Sequence, residues 1–345
     1  MILIDAIYIN QSGGKNLLDL LIDQLNLTSS EEILVLVDNR IKKQYEAKRF
    51  KAIRLEFIRG NEIGRYFFYR NKINEFRKVF CFANVPPPVK LNCTVLTYFH
   101  NIILFDKDIQ KYFSIKSHFL FVLKGLVIKS RKNNTNYWVV QTDNVLHLLI
   151  KYLNIPLSKI LVLPFFEEEN SGGMADTNVK KNSFFYPASG AAHKNHSNLL
   201  EVWNDLYLKN NFQNELHLTI NKNQNRNLYN RIKLLQANGV PIINHGYLSK
   251  KEINALYATC RYVIHPSFGE SFGLVLIEGL INNCILLAPN LPYVKAIVQP
   301  HYFFEPKEST SIAASIKKAL TGEGAMSAEV LAKDKIGAIV KIILD

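Results

Sequence analysis

Residues 261–289 read RYVIHPSFGESFGLVLIEGLINNCILLAP, and they contain a strand, a loop, a helix and a second strand in succession. The apolar run that ends at His265 predicts a short buried strand, and the small residues of 267–271 predict a loop. Apolar residues at helical spacing then predict a helix that begins near Gly273, and a further strand follows at 284–288. Strands that alternate with helices are typical of α/β proteins with parallel sheets covered on both faces.

The same alternation extends along most of the chain. Runs rich in β-branched and aromatic residues predict strands at 1–9, 32–38, 52–58, 78–83, 94–99, 137–141, 159–164, 183–188, 215–220, 241–244, 262–265 and 284–288. Helices are predicted between them, including 15–26, 196–209 and 225–238, and the chain from 308 onward is predicted to be mostly helical.

One segment interrupts this alternation. Residues 166–182 are polar, rich in Gly and Asn and without periodicity, which predicts a linker. We therefore expect an N-terminal domain at 1–165 and a C-terminal domain at 183–325. A C-terminal helix at 326–345 is expected to pack back on the N-terminal domain. With 345 residues the chain exceeds the size at which a single core usually keeps growing.

Composition restricts the class of protein further. The formal net charge of +13 calls for an acidic partner: nucleic acid, anionic lipid headgroups or a diphosphate substrate. A nucleic-acid-binding module would show basic patches interleaved with aromatic residues, and we find none in the sequence. We therefore expect no nucleic-acid partner. The four cysteines show no CxxC spacing, and the first ten residues lack a basic leader, so we expect a cytoplasmic protein.

The loop of 267–271 combines two chemical features. Backbone N–H groups at the start of the following helix, with the positive end of its dipole, form a good phosphate site. Glu270 precedes the helix and Glu278 lies about two turns inside it. A carboxylate accepts hydrogen bonds only, and it suits the vicinal hydroxyls of a sugar. The pattern predicts a diphosphate at the helix start, with a carboxylate binding hydroxyls on either side.

Two glutamates separated by seven residues within PSFGESFGLVLIEG resemble the E-x7-E motif of retaining glycosyltransferases of family 4. The preceding GYLSKKEINALYATCRYVI is similar to the usual lead-in of that family. The resemblance implies a GT-B fold, in which two Rossmann-like domains face each other across a cleft. It also implies a retaining hexosyltransferase that uses a UDP- or GDP-linked sugar donor.

The resemblance assigns roles to particular residues. Glu270 would lie near the transferred sugar and Glu278 would bind the ribose of the nucleotide. The backbone that holds the diphosphate would be that of Ser271, Phe272, Gly273 and Leu274.

A second segment, FFYPASGAAHKNHSNLLEVW at 184–203, predicts a strand, a Gly-containing loop and a helix that begins near Lys194. The family places a lysine here against the donor diphosphate. Many members carry an arginine five residues earlier, where this chain has Ser189, and we expect the backbone N–H groups of Ser189 and Gly190 to compensate in part. The alternative for Lys194 is an exposed lysine at a helix start.

In the N-terminal half, YINQSGGKNLLDLL places Gly13 and Gly14 between a strand and a helix, where glycine permits close approach of a ligand. The segments FANVPPP and TYFHN resemble a subset of these transferases that build bacterial surface polysaccharides such as O-antigen and capsule. That resemblance implies that His100, at the end of a strand, lies near the reacting sugar. The alternative is a histidine that is simply hydrogen-bonded at a strand end.

Residues 105–108, FDKD, contain the DxD pattern by which another large class of glycosyltransferases binds metal. Here the pattern precedes a basic, helical segment, where early acids suit the helix dipole. We therefore expect no metal and no other cofactor. Lys194 and the helix start would supply the positive field that Mg²⁺ provides elsewhere.

The basic segment 107–132, KDIQKYFSIKSHFLFVLKGLVIKSRK, has apolar residues near helical spacing. A basic amphipathic helix is typical of membrane-surface elements, so it predicts docking on the inner membrane face, near a lipid-diphosphate-linked glycan acceptor. An equally weighted alternative is a core-facing helix with a solvated basic face. Two alternatives for function also stay open: a transferase with a soluble acceptor, and a catalytically silent nucleotide-sugar-binding protein.

Overall fold

The structure is a computed structural model that describes residues 1–10, 12–46, 48–168 and 180–345. Most of the expected linker at 166–182 lies outside the described residues. The chain forms two compact units. The first comprises Met1–Gln110, Ser114–Glu167 and Lys333–Asp345, and the second comprises Lys111–Phe113 and Glu168–Ala332.

The first unit contains a parallel sheet of seven strands in the order β3-β2-β1-β4-β5-β6-β7. Its elements up to residue 162 are β1 (Ile2–Ala6), α1 (Ser12–Thr28), β2 (Ile33–Asp38), α2 (Lys42–Tyr45), β3 (Ile53–Ile58), α3 (Glu62–Asn71), β4 (Lys78–Cys81), β5 (Thr94–Tyr98), α4 (Lys107–Gln110), α5 (Ile115–Arg131), β6 (Tyr137–Val140), α6 (Asp143–Leu153) and β7 (Ile160–Val162). β1 and β2 are buried along their whole length, because helices cover both faces of a parallel sheet.

A buried ion pair ties one loop of this unit to its sheet. The Arg65 guanidinium on α3 donates from Nε to Asp5 Oδ2 of β1 at 2.8 Å, and both side chains are 1% exposed. The same guanidinium donates to the carbonyl oxygens of Val85 and Pro86 at 2.8 and 2.9 Å. The buried charges are therefore paired and hydrogen-bonded, as burial requires, and the loop after β4 is held in place.

The second unit contains a parallel sheet of six strands in the order β10-β9-β8-β11-β12-β14, and a small antiparallel pair, β13 with β15. Its elements are β8 (Lys181–Tyr186), α7 (His196–Asn210), β9 (Leu216–Leu218), α8 (Arg226–Ala237), β10 (Ile242–Asn244), α9 (Lys250–Thr259), β11 (Cys260–Ile264), α10 (Leu274–Ile281), β12 (Ile285–Pro289), α11 (Pro292–Lys295), β13 (Val298–Gln299), β14 (Tyr302–Phe304), α12 (Ser309–Thr321) and β15 (Glu329–Val330). Each sheet runs outward in both directions from its first strand, which is the strand order of a Rossmann-like fold.

The end of the chain is less helical than the sequence predicts. After α12 the chain forms β15 and then one further helix, α13 (Ile336–Leu344), which belongs to the first unit. The Lys78 ammonium donates to the carbonyl oxygen of Ile342 at 2.7 Å, and Arg77 Nη2 donates to that of Leu344 at 2.8 Å. These bonds satisfy carbonyl groups that a helix C-terminus otherwise leaves without a partner.

The basic segment 107–132 is not one continuous helix. α4 and α5 are separated by residues 111–114, where Ser114 caps α5 by accepting a hydrogen bond from Ser117 N at 3.4 Å. The alternative of a core-facing α5 is wrong, because Ile128 is its one buried residue. Among the residues that the structure describes, none forms a helix with both the length and the hydropathy needed to span a bilayer.

Candidate functional site

The predicted donor-binding segments follow the two central strands of the second unit. β8 and β11 are neighbours in its sheet, and the strand order reverses between them. Loops at the carboxyl ends of strands at such a reversal are where open α/β sheets bind ligands. The loop before α7 carries Lys194, and the loop before α10 carries Glu270.

Lys194 and Glu270 form an ion pair. The Lys194 ammonium donates to Glu270 Oε1 at 2.5 Å, and the two side chains are 18% and 12% exposed. Burial alone would raise the pKa of the Glu270 carboxyl, but the Lys194 ammonium lowers it to about 2. Lys194 is therefore not an exposed helix-start lysine. Its partner is the glutamate of the other loop, and nothing in the sequence pattern indicates that pairing.

Backbone hydrogen bonds fix these two loops to each other. The carbonyl oxygen of His193 accepts from Phe268 N at 2.9 Å and from Ser267 Oγ at 3.2 Å. The Tyr293 hydroxyl donates to the carbonyl oxygen of Ser267 at 2.9 Å. The residues that precede Lys194 and Glu270 are thus held in one rigid arrangement, which sets the geometry of the ion pair.

Three buried imidazoles surround the pair. Burial lowers the pKa of His193 to about 4, of His196 to about 3 and of His265 to about 4. All three rings are therefore neutral at pH 7. His265 Nε2 lies 3.6 Å from Glu270 Oε1. Lys194 is the cationic partner of Glu270 at neutral pH, since the nearby histidines carry no charge there.

The start of α10 has the backbone that a phosphate site needs. Gly273 adopts φ +84°, and a Cβ added there would lie 3.1 Å from Leu276 Cδ1. This left-handed turn leads from Glu270 through Ser271 and the buried Phe272 into the helix, whose first residue is Leu274. The predicted backbone segment therefore lies at a helix N-terminus that follows a central strand.

Glu278 lies in the second turn of α10, and its partner was not predicted. The hydroxyl of Tyr257, on α9, donates to Glu278 Oε2 at 2.8 Å, and Tyr257 is completely buried. Ser249 and Glu252 form a capping box, a sequence pattern that indicates where α9 begins. The contact with Glu278 depends on tertiary packing, which sequence periodicity does not specify.

Close packing against Asn225 explains why residue 190 is a glycine. A Cβ at Gly190 would lie 2.9 Å from Asn225 Cβ, so the loop needs glycine to pass this residue. Asn225 Nδ2 donates to the carbonyl oxygen of Gly190 at 2.8 Å, and Asn225 Oδ1 caps α8 at Leu228 N. Ser189 lies in the same loop, after β8, as predicted from the chain order.

In the first unit the predicted residues Gly14 and His100 lie side by side. A Cβ at Gly14 would be 3.5 Å from His100 Nε2. The prediction that Gly13 and Gly14 precede the helix is wrong, because both belong to the first turn of α1. His100 N donates to Asn84 Oδ1 at 2.7 Å, and burial lowers the pKa of its imidazole to about 4.

The DxD pattern has a local structural role. Asp106 Oδ1 accepts hydrogen bonds from Asp108 N at 2.9 Å and Ile109 N at 3.2 Å, at the start of α4. The expectation that these acids belong to a helix start is confirmed. Within the described part of the chain, no group of three or more His, Cys, Asp or Glu side chains is arranged to hold a metal ion.

A short aromatic segment also belongs to the second unit. Tyr112 stacks on Phe268 with ring centroids 4.0 Å apart and an interplanar angle of 7°. Phe113 lies against the His193 ring at 5.5 Å. Phe113 lies between α4 and α5, so the prediction of Phe113 as part of one long amphipathic helix is wrong.

One known family model matches most of the second unit. Residues 173–334 match the family model of the group 1 glycosyl transferases, and this range includes Lys194, Glu270 and Glu278. No curated protein sequence matches the chain.

Solved structures are similar over nearly the whole chain. Sucrose-phosphate synthase from Thermosynechococcus elongatus has a TM-score of 0.73 at 11% identity, covering 99% of this chain and 93% of its own. WaaG, a glycosyltransferase involved in lipopolysaccharide biosynthesis, has a TM-score of 0.68 at 12% identity and covers 99% of both chains. Anabaena Alr3699/HepE, solved with UDP and glucose, has a TM-score of 0.67 at 15% identity, covering 100% of this chain and 95% of its own.

At such identities the likeness establishes the fold. The chain has the GT-B fold of two Rossmann-like units, as expected. Most of its second unit matches the group 1 glycosyl transferase model, and together these findings support a GT-B glycosyltransferase.

Proposed function

We propose that this protein is a family 4-like glycosyltransferase that moves a hexosyl unit from a UDP- or GDP-linked sugar to an acceptor hydroxyl. The observation that carries the proposal is the Lys194–Glu270 ion pair beside the N-terminus of α10, the helix that also presents Glu278. A cation, an ionised carboxylate and the N–H groups at a helix N-terminus suit the diphosphate, the sugar and the leaving group of such a donor.

The roles follow from where charge develops. When the glycosidic bond to the diphosphate breaks, negative charge grows on the leaving phosphate. Lys194 and the backbone N–H groups of Ser271 to Leu274 would stabilise that charge, and no metal ion is invoked. Glu270 would accept hydrogen bonds from sugar hydroxyls, and Glu278 from the ribose. Ser189 and Gly190 would add backbone contacts near the phosphates.

We infer that transfer retains the anomeric configuration. The support is the resemblance of the Glu270 and Glu278 motif to that of retaining glycosyltransferases, and the Glu270 carboxylate is already engaged by Lys194. We therefore assign retention to a same-face attack assisted by the leaving phosphate, and not to a covalent intermediate on Glu270. Proton NMR of the first product formed tests the inference: an anomer opposite to that of the donor contradicts it.

His100 stays a predicted catalytic residue in the first unit. Its neutral imidazole has an Nδ1 without a hydrogen-bond partner among the described residues. We expect His100→Ala to reduce turnover at least tenfold while the dissociation constant of the donor nucleotide stays within twofold of the wild type. A change in nucleotide affinity without a change in turnover contradicts this role.

The donor site is tested by thermal shift with UDP, GDP, ADP and their common sugar conjugates, with and without Mg²⁺. A nucleotide at 100 times its dissociation constant adds about 2.7 kcal/mol of stability. We expect one base to stabilise the wild type without metal and to fail with Glu278→Ala. Glu201→Ala, an exposed glutamate on α7, is the matched control and should respond like the wild type. The proposal fails if no nucleotide stabilises the wild type. If one does, turnover of the sugar donor distinguishes an enzyme from a catalytically silent binding protein.

For the acceptor, we propose a lipid-diphosphate-linked glycan of bacterial surface polysaccharide synthesis, at the cytoplasmic membrane face. The support is α5, whose residues Ile115, Phe119, Val122 and Leu126 form one helical stripe and are 57–89% exposed. Lysines at 116 and 129 flank this stripe. An exposed apolar stripe beside lysines suits an anionic membrane surface, where the apolar side chains leave water and the ammonium groups meet phosphate.

Flotation with vesicles of a neutral lipid, and of the same lipid with an anionic lipid added, tests this surface. We expect binding to anionic vesicles that Phe119→Ser weakens several-fold and that high salt reduces. Leu208→Ser is the control, because Leu208 is 69% exposed on α7 of the second unit. Equal binding by both variants, or none by the wild type, rejects membrane docking. A soluble acceptor, as the sucrose-phosphate synthase likeness would suggest, then becomes the better proposal.

A further inference from the structure

We propose that Tyr257 is a positioning residue for nucleotide binding, which holds the Glu278 carboxylate in the orientation that accepts the ribose hydroxyls of a nucleoside diphosphate. This inference rests on the proposed function. It adds to that function a residue on a different helix that neither touches the donor nor belongs to the matched glutamate motif.

The geometry singles out Tyr257. Its hydroxyl donates to Glu278 Oε2 at 2.8 Å, and its side chain is completely buried. Burial and the nearby Glu278 carboxylate raise the pKa of the Tyr257 phenol, so this hydroxyl keeps its proton and remains a donor. The ring also packs edge-on against Phe185 of β8 with centroids 5.1 Å apart, which fixes its plane.

The two helices that carry this pair are joined by one lysine. The Lys180 ammonium donates to the carbonyl oxygen of Tyr257 at 2.9 Å and to that of Asn282, the residue after α10. Asn282 in turn donates from N and Nδ2 to the carbonyl oxygen of Glu278 at 3.1 and 2.8 Å. A cation at the carboxyl ends of α9 and α10 interacts favourably with both helix dipoles, and it holds Tyr257 and Glu278 in fixed positions relative to each other.

The chemical consequence concerns the carboxylate. A glutamate side chain with no fixed partner samples several rotamers and loses that freedom when it binds a ligand. With Oε2 bound to the Tyr257 hydroxyl, the carboxylate is oriented before the nucleotide arrives. Preorganisation of this kind improves affinity by lowering the cost of ordering.

The test uses Tyr257→Phe, which removes only the hydroxyl. Dissociation constants are measured for UDP and GDP and for the 2′,3′-dideoxy form of each. We expect Tyr257→Phe to weaken the nucleotide with both hydroxyls by roughly fivefold to tenfold, equivalent to about 1.0–1.4 kcal/mol. The dideoxy form should change by less than twofold, because it has no hydroxyls for Glu278 to bind. The donor KM should rise while kcat stays within twofold.

A double-mutant cycle and a matched control separate positioning from stability. In a Glu278→Gln background, Tyr257→Phe should cause no further loss, since the two act as a unit. Tyr45→Phe is the control: Tyr45 is buried and donates to the carboxylate of Asp19 at 2.7 Å in the first unit. It should leave nucleotide affinity unchanged.

Each result is decisive. Equal losses for the normal and dideoxy nucleotides, or an undiminished loss in the Glu278→Gln background, would show that Tyr257 acts through folding alone. Unchanged affinity for the normal nucleotide would overturn the inference while the donor site stands. Failure of the wild type to bind any of the four nucleotides overturns the proposed function itself.

Discussion

Lys194 Nζ lies 2.5 Å from Glu270 Oε1, and the two side chains come from loops that follow neighbouring central strands of one sheet. Both are largely buried, at 18% and 12% exposed. Each charge therefore depends on the other for compensation, because removal of one side chain would leave the other as an unpaired buried charge. In the ligand-free protein this pair holds the carboxylate and the cation that the proposed reaction uses, at the same place.

We expect Lys194→Met to reduce the free energy of unfolding by about 2–3 kcal/mol, below the ~3–5 kcal/mol typical of a fully buried pair. The reason is that the variant leaves a buried carboxylate without its cation. The double variant Lys194→Met with Glu270→Gln should recover most of the loss. Lys209→Met breaks an exposed pair with Asp205 and should cost less than about 1 kcal/mol. Denaturant unfolding measures all three, and equal effects at the two lysines would contradict this account.

Gly273→Ala should abolish the stabilisation by nucleotide. A left-handed φ costs an L-residue about 1–2 kcal/mol, and here the new methyl group would also press on Leu276. Gly322→Ala is the control, because Gly322 has φ +75° with nothing within 4 Å of its Cβ position. Both variants should lose stability in thermal unfolding, and only Gly273→Ala should lose the nucleotide response. A retained response would mean that the turn tolerates a side chain and does not bind phosphate closely.

Stability should fall as the pH drops below about 6.5. His196 has its pKa lowered to about 3 by burial, so between pH 6.5 and pH 3 the unfolded chain binds a proton that the folded chain excludes. Each unit of pH in that window costs at most about 1.4 kcal/mol for this one group, and the stability it contributes is fully present above pH 6.5.

The variant His196→Phe should therefore flatten the dependence of unfolding free energy on pH between 6 and 4, without removing it, since His100, His193 and His265 are shifted in the same direction. Urea unfolding across this pH range is the measurement, and an unchanged slope for His196→Phe would contradict it.

Asp106→Ala should destabilise the protein by about 1 kcal/mol or less, whereas Asp106→Asn should be close to neutral, because either Asp or Asn caps a helix start. Neither change should alter donor turnover in the presence or absence of Mn²⁺, since the Asp106 carboxylate is bonded to backbone N–H groups. Loss of a Mn²⁺-dependent activity in both variants would instead identify the DxD pattern as a metal site.

Much of the fold was predictable because buried parallel strands need continuous apolar runs. The run at 32–38 became β2 (Ile33–Asp38), and the run at 137–141 became β6 (Tyr137–Val140). β14 (Tyr302–Phe304) was missed, because three residues at the edge of a sheet give too short a pattern. The break between α4 and α5 had a visible cause in Ser114, a good capping residue that the apolar periodicity obscured.

For the site, the sequence predicted which loops carry the chemistry but not how their side chains pair. Lys194 and Glu270 meet because β8 and β11 are adjacent, and strand adjacency is a property of the folded sheet. The same holds for Tyr257 with Glu278 and for Tyr112 with Phe268, whose partners are distant in the chain. Roles of Ser189, Gly13 and His100 in the reaction stay predictions.

The position of α13 has a consequence for synthesis. The first unit contains residues from both ends of this sequence, and Ile339, Val340 and Ile343 of α13 are buried. During translation the residues of the second unit emerge before α13, so the second unit has its full set of strands while the first still lacks a covering helix. Of these two units, the first is thus completed after the second, and until then it exposes apolar surface that a chaperone can bind.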